Sequence, residues 1–159
     1  MKKRGLFALA PVAAAVAIAG CGGGSKTQST PAAAPTAGTV LSLHHSQLGT
    51  FLSDAKGRTL YLFEADKGTM STCYSACASV WPPLTSTGAV SGGTGVNASL
   101  LGSTKRKDGT AEVTYKGHPL YYYAADSAPG QTTGQGLNQF GAKWYVLAAN
   151  GNKIDNDAR

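Results

Sequence analysis

The sequence lacks an apolar run long enough to cross a bilayer comfortably, and it contains only 3 cysteines and 2 methionines. Its longest apolar stretch, residues 6–18, falls short of the roughly 20 residues that a spanning helix needs. A basic start (Lys2, Lys3, Arg4) precedes this stretch and small residues follow it, which indicates an export signal. The sequence also lacks a phosphate-binding loop, because the glycine-rich segment 127–141 has neither the strand and helix context nor the Lys-Ser/Thr ending of one.

The end of the export signal predicts a lipid anchor. Ile18-Ala19-Gly20-Cys21 resembles the lipobox of bacterial lipoproteins, which predicts a signal peptide at residues 1–20 and a mature chain that begins at Cys21 with a thioether-linked diacylglycerol. We therefore expect a protein of the cell membrane, anchored by lipid on the extracytoplasmic face. An ordinary secretory signal with a chance cysteine is the alternative. Residues 22–39 are rich in Gly, Ser, Thr, Pro and Ala, so residues 21–39 form a lipidated cysteine and a predicted disordered linker.

The remaining residues, 40–155, suit one domain with little net charge. Removing Lys2, Lys3 and Arg4 lowers the formal net charge from +6 to +3, so much of the basic character belongs to the signal peptide. The basic run 105–107 stands beside Asp108-Gly109, a pair typical of a solvated hairpin tip. We therefore expect no nucleic acid among the partners.

Two stretches of the domain repeat each other at an offset of 60 residues. KGRTLYLFEAD at 56–66 and KGHPLYYYAAD at 116–126 share six of eleven residues without a gap, and a Trp follows each copy, at Trp81 and Trp144. The agreement indicates a duplication, with one repeat at about 40–88 and the other at about 103–155. Gly57 and Gly117 stand where a tight turn between two extended runs needs a positive φ.

These patterns predict a mainly β fold: a single small domain of two pseudo-repeats, built from antiparallel hairpins with one or two short helices. We expect hairpins that pair 49–53 with 59–63 and 111–115 with 119–123, further strands at 40–44 and 144–148, and helical turns at 74–80 and 97–101. Tyr61 and Phe63 share one strand face, as do Tyr121 and Tyr123, and the opposite faces are apolar too. Such strands are usually packed on both sides.

The two copies carry a recognisable motif. Tyr61, Phe63 and Asp66, like Tyr121, Tyr123 and Asp126, follow the pattern Tyr, any residue, aromatic, two of any kind, Asp. With the cysteines and Trp81-Pro82-Pro83-Leu84 after the first copy, and the glycine-rich run and Trp144 after the second, residues 40–150 resemble the bacterial lipoproteins known as secreted repeats of unknown function. The resemblance implies an extracytoplasmic lipoprotein and no particular reaction.

The two cysteines of the domain are expected to pair. Cys73 and Cys77 remain once Cys21 is lipidated, and two cysteines in an exported protein usually form a disulfide. Their spacing places the Cα atoms roughly 6 Å apart in a helix, within the range that a disulfide permits. A redox-active pair or a thiolate metal ligand is the alternative, although no neighbouring base or cation in the sequence would lower a thiol pKa.

Other constellations have a functional and a structural interpretation. Asp66 and Asp126 could serve as the two carboxylates of a hydrolase, but equivalent positions in a repeat favour the same structural role, accepting backbone N–H bonds from the loop that follows. His44, His45, His118 and Met70 are ligand types for copper or zinc without the spacing of a metal site. The aromatic set could form a stacking platform for glycan, and core packing is the more common use. The long loop 127–141 is the part of the chain best suited to binding.

The sequence thus favours a non-enzymatic role. We expect a membrane-anchored extracytoplasmic lipoprotein that binds or scaffolds a ligand or protein of the cell envelope, without a cofactor or a metal. The first alternative is a redox or metal-handling protein that uses Cys73 and Cys77. The second is a hydrolase that uses Asp66 and Asp126.

Overall fold

The computed structural model describes residues 38–155, which form a mainly β domain of two pseudo-repeats, as the sequence predicts. The predicted signal peptide, Cys21 and most of the predicted linker lie outside the described residues. Within the described part, no helix is long and apolar enough to span a membrane.

The strands in residues 38–155 form three small sheets. The strands are β1 (Thr39–Ser46), β2 (Gly49–Asp54), β3 (Tyr61–Phe63), β4 (Val90–Gly92), β5 (Leu101–Lys105), β6 (Ala111–Tyr115), β7 (His118–Pro119), β8 (Asn138–Gln139) and β9 (Ala142–Val146). Their orders in the sheets are β2-β1-β4, β3-β9-β8 and β5-β6-β7. All pairs are antiparallel except β1 with β4.

The two predicted helical turns are present at slightly shorter bounds. One is α1 (Ala76–Val80), which ends before Pro82. The other is a 3₁₀ turn at Ala98–Leu100, where the side chain of Asn97 accepts a hydrogen bond from the backbone N–H of Ser99 at 3.0 Å and so caps the turn.

The hairpin predicted for the first repeat is only partly correct. β2 pairs along its whole length with β1, whereas its contact with the segment after the Gly57 turn is limited to a bridge between Ser53 and Thr59 and a bond from Leu60 N to Leu52 O. β3 then leaves this hairpin and pairs with β9 of the second repeat. The predicted tight turn at Gly57 is confirmed, with a φ of 80°. The partner of the strand that follows is decided by tertiary packing.

The second repeat departs from its predicted hairpin at the equivalent place. β6 pairs with β7 around a two-residue turn in which Lys116 and Gly117 have φ of 51° and 80°. After the bond from Leu120 N to Val113 O, the chain leaves β6. Residues 120–124 instead exchange backbone hydrogen bonds with residues 80–84 of the first repeat.

The two repeats therefore exchange their closing segments around a common centre. Tyr61 N donates to Tyr121 O at 2.9 Å, and Tyr121 N donates to Tyr61 O at 3.0 Å. On one side of this pair Phe63 lies opposite Trp144 in the β3–β9 ladder, and on the other side Tyr122 N donates to Pro82 O at 2.8 Å. The β3-β9-β8 sheet is therefore built from strands of both repeats.

The interior consists of two apolar clusters that share the motif strands. Leu60, Leu62 and Leu120 belong to one cluster, and Tyr61, Phe63 and Tyr121 belong to the other. All of these side chains are buried. The prediction that the motif strands are packed on both faces is thus confirmed.

The prediction that the basic run 105–107 is solvated is wrong for Arg106. The run does lie at the β5–β6 hairpin tip, but Arg106 is 3% exposed and points inward to Glu112, which is fully buried. The expected solvated turn therefore holds a buried ion pair.

Candidate functional site

The centre of the duplication is a reciprocal pair of Tyr–Asp hydrogen bonds. The hydroxyl of Tyr61 donates to Oδ2 of Asp126 at 2.5 Å, and the hydroxyl of Tyr121 donates to Oδ2 of Asp66 at 2.7 Å. Each motif tyrosine thus bonds the motif aspartate of the other repeat. Burial and the neighbouring carboxylate both raise the pKa of each tyrosine, so both remain neutral donors.

The second oxygen of each motif aspartate fixes the loop that follows it. Oδ1 of Asp66 accepts bonds from the backbone N–H and the hydroxyl of Thr72, both at 2.7 Å. Oδ1 of Asp126 accepts the same two bonds from Thr133, at 3.0 and 2.5 Å. The loop-fixing geometry predicted from the sequence is present in both repeats.

The motif aromatics form a buried ring stack. The order of the stack is Phe63, Trp144, Trp81 and Tyr123, with centroid separations of 4.0, 3.9 and 4.3 Å. Tyr61 and Tyr121 meet the two tryptophans edge-on, each at 5.2 Å. Because both tryptophans are fully buried, these rings belong to the core, and Tyr123 at the end of the stack is partly exposed.

The cysteines lie next to this stack and form the expected disulfide. Cys73 and Cys77 are bonded with their Cα atoms 5.2 Å apart, and both are buried, at 0% and 7% exposure. A reactive cysteine needs a partly exposed and electropositive surrounding. The burial therefore favours a structural staple over redox exchange.

The candidate metal ligands do not meet. Within residues 38–155, no group of three or more His, Cys, Asp or Glu side chains could hold a metal ion. His44 packs on Phe51 at 5.4 Å, His45 bonds Thr50 at 2.8 Å, and Met70 is exposed.

The best candidate for a binding site is a surface groove beside Asp66, which we call the Asp66 groove. Its volume is about 470 Å³, and it is lined by Leu62, Phe63, Glu64, Asp66, His118, Asn152 and Lys153. Small-molecule sites typically measure about 300–1,000 Å³. The groove therefore has room for a small ligand.

The corresponding position in the second repeat is largely filled. A cavity of about 170 Å³, the Asp126 groove, is lined by Arg58, Thr59, Pro82, Tyr122, Tyr123, Ala124 and Asp126. At the offset of 60 residues, Arg58 corresponds to His118 and Tyr122 to Leu62. The Arg58 guanidinium lies 3.9 Å from the Tyr122 ring centre and bonds Asp54 at 2.8 Å, so this longer side chain lies across the space that His118 leaves open.

The carboxylates that line the Asp66 groove outnumber its ammonium groups. Lys153 pairs with Glu64 at 2.6 Å and with Asp155 at 2.9 Å, and Lys116 bonds Asn152. Burial lowers the pKa of His118, which is therefore neutral near pH 7. Of the residues that line the groove, two carry carboxylates, Glu64 and Asp66, and one carries an ammonium group, Lys153.

Asp66 is also the carboxylate of this groove with unused hydrogen-bonding capacity. Among the described residues its Oδ2 accepts one hydrogen bond, from Tyr121, whereas a carboxylate oxygen has room for two. Burial raises the pKa of Asp66, although its three hydrogen bonds oppose that effect.

The arrangement does not suit two-carboxylate hydrolysis. Asp66 lines one groove and Asp126 the other, and neither cavity contains both.

Sequence reasoning missed most of the groove. The loop at 127–141 covers the ring stack instead: a Cβ on Gly134 would come within 2.6 Å of the Trp81 ring, and no residue of the loop lines the Asp66 groove. Asn152 and Lys153 lie beyond the repeated stretch, in a segment with no motif. One feature of the sequence could have indicated that the two grooves differ: the duplication aligns His118 with the longer Arg58.

Taken together, the fold defines a small duplicated β domain with a shared aromatic core, a disulfide and an open polar groove beside Asp66. A family model described as a secreted repeat of unknown function matches residues 42–85 and 102–148, one copy for each repeat. The chain belongs to this lipoprotein family, and membership indicates an extracytoplasmic location and a lipid anchor. No curated protein and no solved structure matches the chain significantly.

Proposed function

We propose that the protein is a non-enzymatic binding module, held on the outer face of the cell membrane by lipid on Cys21, that binds a small polar ligand with a positively charged group in the Asp66 groove. The observation that carries the proposal is the difference between the two grooves. At equivalent places in the duplication, one groove is filled by a cationic side chain and the other is open with an excess carboxylate.

The position of Arg58 in the Asp126 groove is the reason to expect a cationic ligand in the Asp66 groove. Arg58 brings its own positive charge into the second repeat and satisfies it with Asp54 and the face of Tyr122. In the Asp66 groove the matching residue is His118, whose side chain is shorter and is neutral near pH 7. Asp66 is then available to a cation that arrives from solution.

The experiment uses the folded domain and small amines. Spermidine, ethanolamine and glucosamine serve as cationic probes and N-acetylglucosamine as a neutral one, with binding followed through the backbone amide signals in NMR. We expect at least one cationic probe to shift signals of residues 62–66, 118 and 152–153. His118→Arg should abolish these shifts, because an arginine there would bring a permanent positive charge next to Asp66 in the same groove.

His45→Arg is the matched control, since it makes the same substitution at an exposed position outside the groove. Shifts that persist in His118→Arg, or a panel that shifts no groove signal, would contradict the proposal.

Lipidation is tested separately in the producing cells. Cys21→Ser should release the protein from the membrane fraction into the medium, whereas a variant that stays in the membrane fraction would contradict anchoring through Cys21.

A further inference from the structure

A buried ion pair lies on the inner side of the Asp66 groove. Arg106 Nη1 donates to Glu112 Oε2 at 2.7 Å, and the two side chains are 1% and 0% exposed. The pair is incompletely satisfied: among the described residues, Oε1 of Glu112 and Nε of Arg106 have no hydrogen-bond partner, although Asp108 lies 3.5 Å from that nitrogen. Buried charges of this kind rarely add stability.

The first repeat places a phenylalanine where the second has Glu112. Leu52 N donates to Leu147 O in one repeat, and Val113 N donates to Leu84 O in the other, so these positions correspond. One residue earlier, Phe51 bridges to Ala148 and Glu112 bridges to Thr85. The fold therefore accepts an apolar residue at this site, and packing alone does not account for the glutamate.

Hydroxyl groups connect this pair to the groove. Arg106 Nη1 also donates to Ser71 Oγ at 2.7 Å, and Ser71 Oγ lies 2.7 Å from the Tyr121 hydroxyl, which donates to Asp66. Arg106 joins Ser71 to Glu112, since its Nη1 bonds both side chains, and the Ser71 hydroxyl lies close enough to lower the pKa of Glu112. The connection thus runs from Glu112 through Ser71 and Tyr121 to Asp66, whose carboxylate lines the groove.

Among the described residues, the Asp126 side of the pseudo-symmetry has no such extension. Tyr61 bonds Asp126 in the same way, but no serine joins its hydroxyl to a further acid in the described domain. The buried Asp54 on that side bonds Arg58 and Tyr122 instead. The wider groove and the hydroxyl connection to a buried acid therefore occur on the same side of the pseudo-symmetry.

We propose that Glu112 is a positioning residue of the Asp66 groove: through Ser71 and Tyr121, its charge sets the charge that Asp66 presents to a ligand. The inference rests on the proposed function for its consequence in binding. The single hydrogen of Ser71 decides the coupling, because it is given either to Glu112 or to Tyr121.

Two effects make the ionisation of Glu112 disfavour the ionisation of Asp66. When Glu112 is ionised, it attracts the Ser71 hydrogen, so Tyr121 loses a donor and becomes a weaker donor to Asp66. When Glu112 is protonated, the Ser71 hydrogen turns to Tyr121 and strengthens its bond to an ionised Asp66. Repulsion between the two carboxylates adds to this preference.

The coupling operates near neutral pH. Burial raises the pKa of Glu112 to about 7, even though Arg106 opposes the shift. The charged and titratable groups around the pair are Arg106, Asp108, Lys107, Tyr74, Tyr121 and Asp66. Of these, Asp66 is the acid that faces the groove.

Carboxyl ¹³C NMR of the ligand-free domain tests the inference directly. The sequence contains two glutamates, Glu64 and Glu112, so selective labelling gives two Cδ signals, which Glu64→Gln assigns. In Asp66→Asn we expect the pKa of Glu112 to fall by about one unit, the size that marks interacting sites. Asp126→Asn is the matched control and should leave the Glu112 titration unchanged.

Titrating Asp66 in a Glu112 variant, and both acids in the wild type, keeps the inference testable if Asp66→Asn does not fold. In Glu112→Gln we expect the pKa of Asp66 to fall, and in the wild type both carboxyl signals should show two inflections. A Glu112 titration that is the same in Asp66→Asn and the wild type, or single independent steps in the wild type, would overturn the inference. Because no ligand is added, failure here is distinct from failure of the proposed function.

Discussion

The two repeats use the same motif for the same structural task and differ in what surrounds it. In both, a tyrosine crosses to the aspartate of the other repeat and a tryptophan joins the central stack. Around Asp126 the neighbouring groove is filled by Arg58, whereas around Asp66 the groove is open and backed by a buried acid. The shared part of the motif builds the fold, and the unshared part is where a function is to be sought.

The largest expected effect tests the buried pair that only the second repeat supplies. Arg106→Met leaves the Glu112 charge buried without a partner, and breaking such a pair costs about 3–5 kcal/mol. We expect a loss of that size in urea unfolding at pH 8 and a smaller loss at pH 5, where Glu112 is protonated.

The double variant Arg106→Met/Glu112→Leu is the control, since it removes both charges. It should recover most of the loss, in keeping with the apolar residue at the equivalent site of the first repeat. A double variant no more stable than Arg106→Met would mean that the pair contributes to the fold itself.

The next effect tests what the repeats have in common. Asp66→Ala and Asp126→Ala each remove a carboxylate that accepts three hydrogen bonds. We expect each to lower the free energy of unfolding by about 2–3 kcal/mol, because the buried tyrosine hydroxyl loses its charged acceptor. Thermal and urea unfolding provide the check, and a variant with unchanged stability would show that the motif aspartate has no structural role.

A smaller effect compares two tight turns. Both Lys116-Gly117 and Phe140-Gly141 have positive φ at each residue, but Phe140 is a bulky residue at φ 56°. Phe140→Asn should raise stability by roughly 0.5–1 kcal/mol, because asparagine tolerates this conformation better. Lys116→Asn is the matched change in the other turn. An unchanged or lower melting temperature for Phe140→Asn would argue that the exposed ring contributes to packing.

The sequence predicted the local parts of this structure and missed the parts that depend on the other repeat. Gly57 and Gly117 marked the turns correctly, because a positive φ is a local requirement. The partners of β3 and of residues 120–124 were wrong, because both ladders form between repeats. A motif strand that is apolar on both faces does not reveal which strand it will meet.

The site was harder to predict for the same reason. Asp66 and Asp126 were identified from the repeat, and their loop contacts follow from their place at a strand end. Arg106 was expected in solvent because it stands in a basic hairpin tip, and its burial depends on Ser71, which is 35 residues away. The groove also needs Asn152 and Lys153, which carry no recognisable pattern.

The pH dependence of stability has a defined sign in this protein. An acid whose pKa is raised by folding stabilises the fold below its unfolded value and loses that contribution as pH rises through the folded value. For Glu112 the window runs from 4.5 to about 7. His118 acts oppositely below its ordinary pKa of 6.5, because folding lowers its pKa, so the Glu112 contribution is clearest between pH 6.5 and about 7.

The most direct test of the difference between the repeats is a comparison of Tyr61→Phe and Tyr121→Phe in urea unfolding from pH 5 to 8. Both variants lose an equivalent bond to a motif aspartate, so each should be less stable than the wild type. The loss for Tyr121→Phe should shrink as pH rises and Glu112 ionises, because Tyr121 is then a weaker donor to Asp66, whereas the loss for Tyr61→Phe should stay constant. Two losses with the same pH dependence would contradict the claim that the Asp66 side alone is coupled to a buried acid.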